Sequence, residues 1–355
     1  MQILTARNVQ IEAIYGCLPS KEIDCLSICQ TLYGEGASDV IKGTGIKKKR
    51  VVEGAVSSLD LCIEAAIGMF SDYPSARSDV QAIVCVTFTP ERRMPANAIV
   101  AQSMLGLSND CLAFDINLAC SGYVYGVWLA STIANQVKGK VLLLDGDIQS
   151  PIVSPYDKGT LPVLSDAGSA TLISFMENND PWHFSFYTDG SKSDVLQIKA
   201  GGSRYPLSTK DLEYVTEEDA NQRRNIDIYM NGFEIFKFVA TKVSSFLQNF
   251  MAETQTRIEN IRYFVPHQAN IYMIRQLGKG LGFSPDKIWV SCDKYGNSAS
   301  ATIPVTIADR FALTENQTDS RVLVSGFGAG LSISAGLVSL PADLKTRLLT
   351  YPSKE

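Results

Sequence analysis

The sequence predicts an α/β fold made of two related halves. Three observations carry this: strand-like and helix-like segments alternate, the strands read as near-continuous apolar runs, and short motifs recur in the same order in both parts of the chain. At 355 residues and 45% hydrophobic content, the chain can bury a full core, and its length suits two domains or one large duplicated fold.

The repeat runs through four matched segments. QAIVCVTFTP (81–90) corresponds to RYFVPHQAN (262–270), each an apolar strand entering a polar turn. A helical segment follows in both, IVAQSMLG (99–106) and IYMIRQLG (271–278). LGLSND (105–110) then precedes the extended AFDIN and Cys120, while LGFSPD (281–286) precedes IWVSC and GNSAS. That offset carries Cys120 to Gly296, next to Asn297. Downstream, VLLLDG (141–146) answers RVLVSG (321–326). The expected division is a first half over 1–185 with Cys120, a charge- and turn-rich excursion over 186–225, and a second half over 226–355 with His267 and Asn297. The excursion is expected to cover the core or line an entrance.

Composition narrows the function classes. A net charge of −5 gives no electrostatic footprint for nucleic acid, and the run Lys47, Lys48, Lys49, Arg50 reads as a solvated surface patch. Eight cysteines show neither paired CxxC motifs nor neighbouring histidines, so no metal site is expected and reduced thiols of a cytoplasmic protein fit best. The N-terminus lacks the basic and apolar regions of a signal peptide. No membrane span is expected either: the charge-free stretch 116–137 carries Asn117, Ser121, Asn135 and Gln136, which suits a buried strand and helix.

Three residues point to chemistry. Cys120 lies in DINLACSGYVYG, between an extended segment and a helix starting near Ser121. Open NH groups and the positive end of a helix dipole are expected there to lower the thiol pKa. A lone apolar cysteine is otherwise a small buried filler. Only two histidines exist; His267 ends the strand FVP, where sites form in open α/β sheets, whereas His183 has no comparable setting. Asn297 occupies the turn matching that of Cys120, and its amide can donate to an oxyanion or enolate. The glycine-rich GFGAG (326–330) lets backbone approach a ligand.

These residues together resemble one family, the ketoacyl synthase III (3-oxoacyl-acyl-carrier-protein synthase III) group of the thiolase-fold condensing enzymes. The likeness runs from TGI (44–46) through QSMLGL, AFDINLACSGYVYG and MNGFEIFKF to VPHQAN, YGNSASATIP and FGAG. It implies a thiolase-like fold, with two pseudo-twofold α/β halves layered α-β-α-β-α. It implies that Cys120 takes an acyl group from a thioester, and that His267 and Asn297 assist decarboxylation of a malonyl thioester whose enolate attacks the acyl-cysteine. The NH groups of Cys120 and Ala329 are implied as an oxyanion hole, with Ala329 standing where the family has a glycine. No cofactor of the protein's own is implied; phosphopantetheine arrives on the substrates, as coenzyme A or acyl carrier protein.

The resemblance further implies a homodimer in which Met94 closes the partner's acyl pocket. Asp39 and Gly43 replace the tryptophan and arginine that clamp adenine in many members, and Tyr272 replaces an arginine after HQAN. A carrier-bound or unusual acyl donor is therefore expected. The competing reading is an acyltransferase or thioesterase that passes the acyl group from Cys120 to oxygen, nitrogen or water.

Overall fold

The computed structural model of the chain describes residues 1–314 and 318–352. Two sheets carry the architecture. Their strands are β1 (Leu4–Ala6), β2 (Val9–Leu18), β3 (Val80–Val86), β4 (Leu112–Ile116), β5 (Lys140–Asp147), β6 (Ala167–Phe175), β7 (Trp182–Thr188), β8 (Tyr263–Pro266), β9 (Ser320–Gly328), β10 (Ser332–Leu340) and β11 (Lys345–Thr350). The first sheet has the order β11-β2-β6-β5-β3-β4, the second β1-β7-β10-β9-β8.

The repeat is visible strand by strand. β2 and β6, β6 and β5 pair antiparallel, then β5 and β3, β3 and β4 pair parallel. The second sheet repeats this with β7-β10 and β10-β9 antiparallel and β9-β8 parallel. Where β4 would recur, only a parallel bridge between Phe264 and Ile288 forms. The IWVSC segment thus pairs once and turns into the short helix Cys292–Tyr295, which returns the chain to Gly296.

Side-chain alternation explains the layers. On β3, Ala82, Val84 and Val86 face the space between the sheets, whereas Ile83 and Cys85 face the outer helices. Both faces are covered, so the strand reads as an unbroken apolar run. The middle layer holds helices Gly122–Val137 and Thr302–Phe311, which pack Val124, Val127, Ile303 and Ile307 against both sheets. Helix Ser58–Asp72 covers the outside of the first sheet and helices Ser244–Glu253 and Ile271–Leu281 the outside of the second. The result is the expected α-β-α-β-α stack. Each large apolar side chain buried in it contributes about 1.5–3 kcal/mol before entropy is charged against it.

Two expectations need correction. The boundary between residues 185 and 186 falls inside β7, which belongs to the second sheet, and the termini cross over. β1 joins β7 in the second sheet, while β11 joins β2 in the first, so neither half is a contiguous segment. The basic run is also not all surface. It forms the strand Lys48–Val51, whose alternation turns Lys49 inward, and its ammonium donates to the carbonyls of Leu161 and Leu164. Lys48 and Arg50 point out and share Glu22.

The segment 186–225 contains the end of β7 and then short irregular pieces. It is pinned by Arg223, only 4% exposed, whose guanidinium meets Asp157, Glu217 and Asp219. Among the described residues, no helix is long and apolar enough to cross a membrane.

Candidate active site

Cys120 sits where β4 hands over to the helix Gly122–Val137. Upstream, the Asp115 carboxylate accepts the NH groups of Asn97 and Ala98 at 2.7 and 2.8 Å, holding the start of helix Asn97–Met104. No side chain caps the start of the Cys120 helix, whose first NH, that of Gly122, donates to the Ala119 carbonyl at 2.7 Å. The glycines of SGYVYG bring that helix close to the sheet. A methyl at Gly122 would lie 2.5 Å from Val86 Cγ1, and one at Gly126 would lie 2.7 Å from Leu143 Cδ1.

The end of β9 closes over the cysteine. A methyl at Gly326 would lie 2.6 Å from the Cys120 carbonyl oxygen, and one at Gly328 would lie 3.1 Å from Sγ. Phe327, between them, presents its ring to His267 edge-on at 5.4 Å. The His267 NH donates to Ser325 of the same strand at 2.7 Å. This strand end is therefore common ground for the thiol and the imidazole, one from each half.

The HQAN motif divides its labour. His267 is buried, with Nδ1 2.8 Å from the Thr302 hydroxyl. Gln268 is a staple: its amide donates to Pro266 and Trp289 carbonyls, and its Oε1 accepts from the Ser291 NH. Asn270 caps the following helix by accepting from the Met273 NH at 2.8 Å.

Asn297 is fixed from three sides. Its NH donates to Val163, and its carbonyl accepts from the Ser165 NH and from the Gln149 side chain at 2.7 Å. Its Oδ1 accepts from the Ala299 NH at 3.0 Å, which leaves Nδ2 as the donor of the amide. Lys49 lies beneath this turn, since a methyl at Gly296 would touch its Cβ at 2.9 Å.

Asp147, at the end of β5, joins the two halves under the site. It accepts from the Thr87 hydroxyl, the Phe88 NH, and both the NH and hydroxyl of Ser300. Burial pushes its carboxyl up to about 6, with the Ser300 hydroxyl pulling it back. Sequence reasoning assigned nothing to Asp147, Gln149, Ser300 or Thr302. An acidic DGD ending the apolar run VLLLDGD was the available signal for the first.

The electrostatics correct the expected thiolate. Burial, followed by the Asp147 charge, pushes the Cys120 thiol up to about 12, against the pull of its own NH. Burial also pulls His267 down to about 3, opposed by the Ala299 carbonyl. At neutral pH the resting pair is a neutral thiol and a neutral imidazole. Desolvation of the part-buried thiol outweighs the helix start.

The other expected residues are peripheral in the single chain. Ala329 follows Gly328 at the strand end, and its carbonyl accepts from the Ser332 hydroxyl at 2.7 Å. Met94 is 81% exposed on a loop tied to the excursion by Arg93 and the Gly201 carbonyl. Asp39 is exposed and paired with Lys42 at 3.3 Å, on the helix Ala37–Thr44 that also carries Gly43. Tyr272 stacks on Phe236 with ring centroids 6.2 Å apart. His183 meets Thr5 at 3.3 Å, between β7 and β1 and away from these groups.

A duplicated five-layer fold with a cysteine at a helix start and a histidine and an asparagine from the other half defines the class of thiolase-fold condensing enzymes. Comparison with known proteins narrows the class. Residues 114–190 match the family model 3-oxoacyl-[acyl-carrier-protein] synthase III, and residues 251–340 match the model of its C-terminal part. The beta-ketoacyl-[acyl-carrier-protein] synthase III of Natranaerobius thermophilus is 32% identical over 302 residues, covering 83% of this chain and 88% of that protein. The corresponding protein of Clostridium tetani is 30% identical over 298 residues, covering 83% and 87%. The crystal structure of a 3-oxoacyl-(acyl-carrier protein) synthase from Burkholderia xenovorans superposes with a TM-score of 0.91 at 26% identity, covering 99% of both chains. The chain belongs to the beta-ketoacyl-acyl-carrier-protein synthase III family of carbon–carbon bond-forming acyltransferases.

Proposed function

We propose that the chain transfers an acyl group from a thioester to Cys120 and condenses it with a malonyl-type thioester on acyl carrier protein. Carbon dioxide leaves, and a 3-oxoacyl thioester forms for fatty acid or specialised acyl biosynthesis. The observation that carries this reading is the meeting of both halves at the end of β9, where Gly328 abuts the Cys120 sulfur and Phe327 abuts His267. Cys120 supplies the nucleophile, and the NH groups of Cys120 and Ala329 receive the oxyanion of the acyl carbonyl. The Nδ2 of Asn297 and the His267 imidazole donate to the enolate oxygen as carbon dioxide departs.

Phosphopantetheine comes with the substrates, and the reaction calls for no resident cofactor or metal. With Asp39, Gly43 and Tyr272 at the positions that serve coenzyme A in many family members, a carrier-bound donor is the better fit. The free edge of β4 and the 81% exposed Met94 support a homodimer in which Met94 reaches the partner's acyl pocket.

The test supplies an acyl thioester and malonyl carrier protein and follows Cys120 by intact-protein mass spectrometry. Acyl-Cys120, carbon dioxide and a 3-oxoacyl product are expected, with Cys120→Ala unacylated. Acyl-Cys120 that yields only ester, amide or free acid would replace condensation by simple acyl transfer.

A further inference from the structure

We propose that Lys49 is a positioning residue for Asn297: its ammonium gathers the connection 161–165 against the Asn297 turn and so fixes where the enolate donor stands. The inference rests on the condensation reading for the use made of Asn297. The framework around Lys49 is a property of the free chain.

Lys49 is only 3% exposed, on the strand Lys48–Val51, and its Nζ donates to the carbonyl of Leu161 and, at 3.2 Å, to that of Leu164. The same connection brackets Asn297. The Asn297 NH donates to the Val163 carbonyl at 2.9 Å, the Ser165 NH donates to the Asn297 carbonyl at 2.9 Å, and Leu164 forms a parallel bridge with Asn297. One of the two carbonyls held by Lys49 therefore lies between the two residues that hold Asn297. Gln149 locks the pair together, because its Nε2 donates to the carbonyls of both Ser165 and Asn297, at 2.9 and 2.7 Å.

The strand that carries Lys49 is tied to the same connection further along. The Asp166 NH donates to the Arg50 carbonyl at 2.9 Å, and the Asp166 carboxylate accepts the Val52 NH at 2.8 Å. Close packing completes the frame. Gly296 has a φ of 74°, and a methyl on it would lie 2.9 Å from both Lys49 Cβ and Ser165 Cβ. The residue before Asn297 thus rests on the lysine stem and on Ser165.

Taking an ammonium out of water is costly unless its hydrogens are used. Among the described residues, the hydrogen bonds of Lys49 go to these two carbonyls and to no carboxylate. An apolar side chain could fill the same space, but it could not draw two carbonyls three residues apart to one point. The consequence falls on one half of the reaction. Acylation uses the Cys120 turn, which shares none of these contacts, whereas decarboxylation needs the Asn297 amide at the enolate oxygen.

Lys49→Met keeps the stem and removes the donor. Hydrogen exchange followed by mass spectrometry on the free, full-length protein reads the framework. Peptides covering 161–166 and 296–301 should exchange at least about tenfold faster in the variant, while 115–122 keeps the parent rate. With an acyl thioester and malonyl carrier protein, Cys120 acylation should stay within about twofold of the parent, and condensation should slow by about ten- to a hundredfold. The double variant with Asn297→Ala should condense no more slowly than Asn297→Ala alone, because Lys49 acts through that amide. Lys49→Gln, whose shorter amide keeps a donating group, should fall between the parent and Lys49→Met, and it stands in if the latter does not fold. Unchanged exchange at 161–166 and 296–301 overturns the proposal, as does equal slowing of acylation and condensation, or additive losses in the double variant. The exchange is read without substrate, so a parent that forms acyl-Cys120 but no 3-oxoacyl product would overturn the condensation reading alone.

Discussion

Gly328 leaves no room beside Cys120: a methyl in its place would stand 2.8 Å from the cysteine Cβ and 3.1 Å from Sγ. The backbone of β9 therefore forms one wall of the nucleophile's pocket. Gly328→Ala forces the thiol, the strand, or both to move. Misplacing a nucleophile by about 1 Å costs on the order of a hundredfold in rate. The expected outcome is a folded protein by circular dichroism whose Cys120 acylates at least about that much more slowly. An unchanged acylation rate would show that the wall is soft and that the glycine serves another purpose.

Much of this arrangement is legible in the chain, because duplication writes the same physics twice. The parallel strands announce themselves as apolar runs since both faces are covered, and the repeat places Cys120 and Asn297 at equivalent turns. His267 stands out because only one of two histidines ends a strand. What sequence patterning does not carry is long-range pairing. Lys49 looks like part of a solvated run until β-alternation and two carbonyls, Leu161 and Leu164, draw it inside. The exchange of β1 and β11 between sheets has no local signature, as three-residue and six-residue strands gain their identity from the neighbour they pair with. The thiol's raised pKa was equally hidden, because it depends on how the folded chain desolvates the sulfur and brings Asp147 near it.

That raised pKa predicts how Cys120 responds to a small alkylating agent. The reactive species is the thiolate, and a thiol near 12 is almost fully protonated through the physiological range. The rate of iodoacetamide labelling at Cys120, followed by peptide mass spectrometry, should rise about tenfold per pH unit between about pH 6 and 10. Asp147 contributes to the shift, so Asp147→Asn should raise the rate at fixed pH. A plateau near neutral pH would mean that the helix start dominates after all.

Asp145, two residues before Asp147 on β5, is fully buried with neither carboxylate oxygen hydrogen-bonded. Burial raises its pKa well above the usual 3.8, against the pull of the nearby Ser300 hydroxyl, and the Asp147 charge adds to the rise. The sign follows from linkage. Below about pH 3.8 both folded and unfolded states hold the proton and there is no penalty; as pH rises, the unfolded state ionises first and stability falls until the folded carboxyl also ionises. Asp145→Asn removes that slope. Its melting temperature relative to the parent should therefore rise between about pH 4 and 8, each pH unit contributing up to about 1.4 kcal/mol. Parallel pH profiles for the two proteins would place a proton acceptor near Asp145 instead.

Arg223 governs the excursion between the halves. Its Nε lies 2.5 Å from Asp157, a fully buried carboxylate on the preceding connection, while its other nitrogens hold Glu217 and Asp219. Arg223→Met leaves Asp157 buried without its cation, a change that costs about 3–5 kcal/mol. Because the other two carboxylates belong to the turn that Arg223 closes, the loss is expected to appear first as local opening. Limited proteolysis should cut the variant within 199–227 at protease concentrations that leave the parent intact. Arg223→Lys should fall between the two, since an ammonium cannot reach three carboxylates with the geometry of a guanidinium fork. Cleavage elsewhere in the chain, with 199–227 still protected, would assign the excursion's order to its apolar contacts and not to this ion cluster.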